Sequence, residues 1–172
     1  MRAFVAILAT LAIACEPTQG PTPPRHPSTP LHLVEQAPDL DGHVIGATDA
    51  AATLVVSFAS WCVHCKHELA VIGALRDAHP RVRIIGVNYK AHEEYASRGS
   101  SDAVRAYVAA SAPWLRVVPI GDDIFRAFGA PPKVPTMFVF DRGGALVKTY
   151  DRRTREMPDA TELSALFARL GG

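Results

Sequence analysis

Long apolar runs, cysteines and an excess of one charge are all missing or scarce in this 172-residue sequence. Its main run of apolar and small residues covers only positions 3–14, whereas a transmembrane helix needs about 20 residues. Lysine and arginine total 18 against 17 aspartate and glutamate residues, which gives a formal net charge of +1. This balance predicts no binding to nucleic acid. With 48% hydrophobic residues, the composition predicts one globular domain with an ordinary core.

Only three cysteines are present, and two of them, Cys62 and Cys65, form a single Cys-x-x-Cys pair. A structural zinc site needs four ligands, and no second pair exists to supply them. Covalent haem attachment needs a histidine directly after the second cysteine, where this sequence has Lys66. A static disulfide would close a very small loop and is the weaker interpretation. A redox-active dithiol is favoured, and copper binding by the pair with a histidine remains open.

The cysteine pair lies at a predicted strand-to-helix turn. Residues 54–59 are mostly apolar and predict a buried strand, whereas Leu69 and Ile72 follow helical spacing. Unpaired backbone N–H groups and the positive end of the dipole at a helix N-terminus favour an anion, which predicts a lowered pKa for Cys62. Cys65 is one turn along and can attack a mixed disulfide formed by Cys62. The pattern therefore predicts dithiol–disulfide exchange.

Two distant motifs resemble those of the thioredoxin fold. Residues 61–65 read WCVHC at the strand-to-helix turn, and Val134 and Pro135 precede a second apolar strand, which resembles the Trp-Cys-x-x-Cys and cis-proline signatures of that fold. The resemblance covers roughly residues 38–170, the size of one domain. It implies an α/β protein, a three-layer α/β/α sandwich with a mixed central sheet. It also implies a cis Val134–Pro135 bond that faces the cysteines and leaves nearby backbone to pair with an extended substrate segment; a trans loop proline is the alternative.

Within that superfamily, the sequence is similar to the TlpA/ResA/DsbE (CcmG) branch of extracytoplasmic thiol–disulfide oxidoreductases. The similar residues are Glu68, three positions after the second cysteine, and positions 86–90, which read GVNYK. Val63 and Ala70 depart from the branch, which often has proline at these positions. The resemblance implies an enzyme that acts on thiol or disulfide protein substrates, with the redox-active Cys62–Cys65 disulfide in place of a cofactor and no metal.

Three more side chains near the pair are candidates for shaping its chemistry. Glu68 is one turn beyond Cys65, where a carboxyl with a pKa raised by partial burial could exchange a proton with the thiols. Spacing alone favours an exposed acid that only interacts with the helix dipole, and the resemblance reverses that preference. His64 either stabilises the Cys62 thiolate and raises the reduction potential or is an exposed bystander. Trp61 either shields the site or packs in the interior.

The N-terminal region predicts export and a membrane anchor. Residues 1–14 have one basic residue and an apolar run that ends in small residues, as in a signal peptide, and positions 11–15 (LAIAC) resemble a bacterial lipobox. Cys15 would then carry lipid; ordinary cleavage with Cys15 as a spare thiol is the alternative. Residues 15–38 are rich in proline and predict a semi-extended tether before a thioredoxin-like domain over 39–172. The predicted location is the bacterial periplasm or cell envelope.

Outside the central strand and its helix, the sequence predicts alternating strands and helices, an order that favours parallel strands. In chain order these elements are a small hairpin at 37–45, a buried strand at 82–87, a helix capped by Ser101, a strand at 117–120, a short helix at 122–128, a hairpin of strands 136–140 and 145–150, and a last helix capped by Asp159.

Three function classes follow from these observations. The first is a membrane-tethered oxidoreductase that reduces specific exported apoproteins, such as apocytochrome c or a copper-site protein, with electrons from a membrane donor. The second is a DsbA-like oxidant or a general stress reductase with broad substrates. The third is a non-enzymatic copper-delivery or metal-binding module. The cysteine pair, the proline motif and the glutamate favour the first.

Overall fold

The computed structural model describes residues 29–153 and 157–172. The predicted signal peptide, Cys15 and most of the predicted tether lie outside these described residues. A five-stranded sheet forms the centre of the fold, in the strand order β3-β2-β1-β4-β5. The strands are β1 (Ala52–Ser57), β2 (Val82–Tyr89), β3 (Arg116–Ile120), β4 (Thr136–Asp141) and β5 (Leu146–Asp151).

Strand β1 lies in the middle of the sheet and is buried along its whole length. It runs parallel to β2, which is parallel to β3. On its other side β1 runs antiparallel to β4, which forms a hairpin with β5. A strand covered on both faces needs a nearly continuous apolar sequence, and residues 52–57 (ATLVVS) supply one. The sheet is therefore mixed, as the resemblance implies.

Helices cover both faces of this sheet. The described helices are α1 (Pro30–Gln36), α2 (Val63–Leu75), α3 (Lys90–Glu93), α4 (Ser101–Ser111), α5 (Asp122–Ala127) and α6 (Ala160–Arg169). Leu54 and Val56 of β1 pack with residues of α2, α4 and α6, whereas Val55 packs with residues of α1 and α5. Successive strand residues point to opposite faces, so β1 separates two hydrophobic cores. This arrangement confirms the predicted three-layer sandwich, and none of its described helices is long and apolar enough to cross a membrane.

Helix α1 corrects the predicted extent of the tether. The Thr29 side chain accepts a backbone hydrogen bond of 3.2 Å at the helix start, and Pro30 follows in the first turn, where its missing N–H leaves no intrahelical bond unmade. Leu31 and Val34 are fully buried in the core shared with α5. The folded domain therefore includes residues 29–38, which the sequence analysis assigned to the tether.

A buried ion pair fixes α1 to the sheet. Glu35 is fully buried and pairs with the guanidinium of Arg83 on β2. Arg83 also donates to the backbone oxygen of Gly46 at 2.7 Å. If α1 detached from the sheet, Arg83 would lose the partner of its buried pair, which is strongly destabilising. Helix α1 should therefore unfold together with the rest of the domain.

Two local predictions differ from the structure in detail. The hairpin predicted at 37–45 is reduced to an isolated bridge between Pro38 and Val44, around a turn in which Gly42 has a φ of 84°. Helix α4 is capped by Ser100 instead of Ser101, because the Ser100 hydroxyl accepts from the backbone N–H at the third helical position. The remaining predicted elements are present with shifts of one or a few residues at their ends.

Candidate active site

The two cysteines of the Cys-x-x-Cys pair lie where β1 leads into α2. Cys62 is the N-cap residue of α2, and its Sγ accepts a hydrogen bond from the backbone N–H of Cys65 at 3.2 Å. The two residues form a disulfide, with their Cα atoms 5.2 Å apart. Cys65 is fully buried, whereas Cys62 retains 5% exposure and lines an open cavity. Cys62 is therefore the sulfur that a partner molecule can reach.

This position favours a thiolate when the disulfide is reduced. The N-terminal end of a helix presents free backbone N–H groups and a partial positive charge to a sulfur at the N-cap. A hydrogen bond to a charged acceptor contributes about 1.5–3 kcal/mol, more than one to a neutral thiol. The contact from Cys65 N–H to the Cys62 sulfur is therefore of the kind that favours a thiolate at Cys62.

The proline loop faces the cysteine pair. The peptide bond between Val134 and Pro135 is cis, which confirms that expectation of the resemblance. The carbonyl oxygen of Val134 lies 3.8 Å from the Sγ of Cys62. The hydroxyl of Thr136, the first residue of β4, donates to the Lys133 carbonyl at 2.8 Å and closes the loop. The backbone of this loop thus borders the reachable sulfur.

Trp61 forms one wall of the cavity in front of Cys62. It also packs against the core that Leu54 and Val56 share with α2, α4 and α6. Its indole N–H donates to the backbone oxygens of His92 and Glu93, at 3.2 and 2.8 Å. The guanidinium of Arg98 lies over its ring, 5.2 Å from the ring centre. Trp61 therefore lies partly in the interior and partly at the cavity, and its role in shielding the site stays a prediction.

Glu68 lies on α2 with only 7% of its surface exposed, so the interpretation of an exposed acid is wrong. Burial raises the pKa of its carboxyl above the ordinary value, and His67, Arg152 and His64 act in the opposite direction. The side chain borders a second cavity of about 340 Å³. A buried carboxyl with a raised pKa, one turn from Cys65, has the property that proton exchange with the dithiol requires.

His64 is exposed at the second position of α2 and borders both cavities. Its effect on the Cys62 thiolate stays a prediction. Within residues 29–153 and 157–172, no group of three or more His, Cys, Asp or Glu side chains is placed to hold a metal ion.

A buried carboxylate behind the active-site turn is missing from the sequence predictions. Glu93 is 1% exposed, and its Oε2 accepts from Ser60 N–H and from the Asn88 side-chain amide, both at 2.8 Å. The Ser60 hydroxyl donates to the other carboxylate oxygen. Asn88 also donates to the Phe58 carbonyl at 3.0 Å. The network joins the ends of β1 and β2 to α3, and the one available signal was a polar Asn88 near the end of a mostly buried strand.

The cavity in front of Cys62 has a volume of about 740 Å³ and an open mouth. Trp61, Val63 and Val134 give it apolar walls, and Val63 is 75% exposed. Its charged lining residues, also missed by the sequence analysis, are Arg98, Lys133 and Arg152.

No protein-family model and no curated relative matches the sequence. Among solved structures, a secreted disulfide oxidoreductase of Mycobacterium tuberculosis, homologous to DsbE of E. coli, is similar over 80% of this chain and 96% of its own, with 18% identity and a TM-score of 0.62. StoA from Bacillus subtilis is similar over 76% of this chain and 92% of its own, with 22% identity and a TM-score of 0.59. An exposed lipoprotein thioredoxin of Streptococcus pneumoniae is similar over 77% and 96%, with 16% identity and a TM-score of 0.60. The chain therefore has the thioredoxin fold, with its disulfide-forming cysteine pair at the start of the helix that follows the central strand.

Proposed function

We propose that this protein is a thiol–disulfide oxidoreductase in which Cys62 exchanges disulfides with protein substrates. The observation that carries the proposal is the position of Cys62, which caps α2, accepts the Cys65 N–H and lines an open cavity beside the cis-proline loop. The fold shared with a secreted disulfide oxidoreductase supports it.

In the reducing direction, the Cys62 thiolate attacks one sulfur of a substrate disulfide. A mixed disulfide forms as the substrate S–S bond breaks, and the leaving thiolate takes up a proton. Cys65 then loses its proton and attacks the Cys62 sulfur, which releases the second substrate thiol and forms the Cys62–Cys65 disulfide. Two electrons pass to the substrate, and a dithiol donor must return them before the next cycle.

Glu68 has the role of proton acceptor and donor for the buried Cys65 in this cycle. Cys65 is fully buried and must lose its proton to attack, so a nearby base within the protein is needed. The raised pKa of the Glu68 carboxyl brings it closer to that of a thiol and to neutral pH, which makes proton transfer in either direction easier.

The finer proposal is a membrane-tethered reductant in the cell envelope, of the TlpA/ResA/DsbE type, that acts on specific exported apoproteins and receives electrons from a membrane donor. The signal-like segment 1–14 and the lipobox-like positions 11–15 support export and lipidation of Cys15. A similar fold occurs in an exposed lipoprotein thioredoxin. Replacing Cys15 with Ala should release the mature protein from membranes, and unmodified Cys15 in membrane-free wild-type protein, read by mass spectrometry, would contradict the anchor.

Substrate trapping tests the exchange reaction itself. Cys62→Ser should abolish reduction of insulin disulfides, because the attacking sulfur is lost. Cys65→Ser should accumulate mixed disulfides through Cys62, and these should disappear in the double variant, which serves as the matched control. Retained activity in both single variants would show that the pair is not the reacting group.

A further inference from the structure

The cavity in front of Cys62 is lined by charges of one sign. Arg98, Lys133 and Arg152 reach it from three separate segments, which are the turn after α3, the loop before β4 and the turn after β5. No aspartate or glutamate from the described part of the chain lines it. The sequence has 18 basic against 17 acidic residues, so net charge does not explain this lining. The positive charge is a local property of the cavity.

Arg98 and Lys133 are available to a ligand, whereas Arg152 also borders the adjoining cavity together with Glu68. Several other basic side chains of the domain are paired with carboxylates, as Arg83 is with Glu35 and Arg116 is with Asp39. None of the three cavity cations forms an ion pair within residues 29–153 and 157–172. Arg98 instead lies over the rings of Trp61 and Tyr95, at 5.2 and 5.8 Å from their centres. Such stacking holds the guanidinium at the cavity wall and leaves its N–H groups free to bind a carboxylate.

Several acidic residues close in sequence or space to the lining residues do not themselves line the cavity. The Glu93 carboxylate is buried behind the turn and bound by its own donors, as described above. Asp151 pairs with Arg153 at 2.7 Å. Glu68 borders the adjoining cavity. A cleft lined by unpaired charges of one sign concentrates ligands of the opposite sign and speeds their association.

We propose that this cavity selects protein segments in which aspartate or glutamate flanks the cysteine that exchanges with Cys62. The inference rests on the proposed thiol exchange and adds the substrate class. Lys133 precedes Val134, whose carbonyl lies 3.8 Å from the Cys62 sulfur. Adjacent Cα atoms are about 3.8 Å apart, so a carboxylate one or two residues from the target cysteine is within reach of Lys133. The planar guanidinium of Arg98 can bind a second carboxylate through two hydrogen bonds.

A set of three peptides tests this selectivity. Each carries one cysteine, blocked as a 2-pyridyl disulfide, and the residues on both sides of that cysteine are Glu, Gln or Lys in the three versions. Attack by Cys62 on the peptide sulfur forms a mixed disulfide and releases 2-thiopyridone, which is followed by its absorbance; Cys65 then frees the peptide thiol. The pyridyl leaving group makes the reaction proceed whatever the protein's own potential. The pre-reduced full chain is mixed with each peptide in single-turnover reactions at low and high salt.

The Glu peptide should react at least about tenfold faster than the Lys peptide at low salt, with the Gln peptide between them. This ratio should fall at high salt because screening weakens the attraction. Lys133→Glu should lower the ratio by about tenfold, whereas Arg81→Glu should leave it unchanged, since Arg81 precedes β2 at the end of the sheet opposite to Cys62. Equal rates for the Glu and Lys peptides, with a reactive Gln peptide, would overturn the selectivity alone. No reaction with any peptide would overturn the proposed exchange function as well.

Discussion

The buried Glu93 carboxylate should stabilise the turn that carries Trp61 and Cys62, and replacing it gives the sharpest test of this site. Three donor groups, from the Ser60 backbone, the Ser60 hydroxyl and the Asn88 amide, converge on its two oxygens. In Glu93→Ala these donors lose their acceptor, although Asn88 keeps its bond to the Phe58 carbonyl.

The expected cost follows from counting the donors left unpaired. A buried donor without a partner costs about 1–3 kcal/mol, and the two donors of Ser60 lose their acceptor while Asn88 keeps one. We therefore expect Glu93→Ala to lose about 3–5 kcal/mol of unfolding free energy. Glu93→Gln keeps an acceptor for Ser60 N–H and Asn88, and its amide can donate to the Ser60 oxygen, so it should lose only about 1–2 kcal/mol.

Urea unfolding of the oxidised protein, followed by tryptophan fluorescence and circular dichroism, measures both variants. Gly99→Ala serves as a second probe, because a Cβ at Gly99 would overlap the Glu93 carboxylate. It should destabilise the wild type more than it destabilises Glu93→Ala, as expected for residues in contact. A Glu93→Ala variant within about 1 kcal/mol of the wild type would refute the reasoning, since an average point substitution already costs about that much.

Three further predictions concern the dithiol and the helix before it. Burial raises the Glu68 pKa above its ordinary value of 4.5, so the folded state holds this proton more tightly than the unfolded state, and stability falls as the pH rises through the interval between the two pKa values. Glu68→Gln should therefore gain stability relative to the wild type as the pH rises from about 4 towards neutral, by about 1.4 kcal/mol for each tenfold difference in the acid constant; a pH-independent difference in urea unfolding would contradict this. His64→Ala should lower the reduction potential by about 30 mV for each 1.4 kcal/mol of lost thiolate stabilisation, with His67→Ala as the control, and an unchanged potential in a glutathione titration would show that His64 is a bystander. Arg83→Met should cost about 3–5 kcal/mol of unfolding free energy because it leaves Glu35 buried beside an apolar side chain. In thermal unfolding, the Arg83→Met, Glu35→Leu double variant should recover most of that loss. An Arg83→Met variant as stable as the wild type would contradict this prediction.

The reacting groups could be predicted from sequence because each of them belongs to a short motif with a physical signature. An apolar strand followed by Cys62 and Cys65 at helical spacing specifies a helix N-terminus, and a proline before a strand marks the facing loop. Glu68 needed the family resemblance, because spacing places it one turn beyond Cys65 and says nothing of its burial. The residues that face Glu68 across its cavity include Arg152 and Met157 to Ala160, which are far from it in sequence.

The Glu93 network could not be predicted in the same way, because its partners are far apart in sequence. Ser60 and Glu93 are 33 positions apart, and their contact depends on the pairing of β1 with β2. The cationic cavity has the same origin, since three segments distant in sequence each contribute one basic residue. Sites of this kind depend on how distant segments pack together, so no periodic pattern within a short stretch of sequence indicates them.

The error at α1 has a different cause, which is that composition outweighed local signals. The segment around Pro30 is rich in proline and was predicted as a tether. A threonine directly before a proline, followed by Leu31 and Val34 three positions apart, is a helix start with an apolar face. The buried pairing of Glu35 with Arg83 lies beyond what either pattern can indicate.

The position of α1 limits how far the domain would travel from a membrane if Cys15 carried lipid. A tether over residues 15–38 would let the folded part move up to about 80 Å from that lipid, at about 3.5 Å per extended residue. Because the folded part already includes Thr29, at most 14 residue steps separate it from Cys15, and the limit falls to about 50 Å. Such a tether would join the face of the sheet opposite to α2, since α1 and α2 pack into different cores. The protein would then meet only partners whose disulfides lie within about 50 Å of the membrane. Its Cys62 site would lie on a different layer of the fold from the attachment.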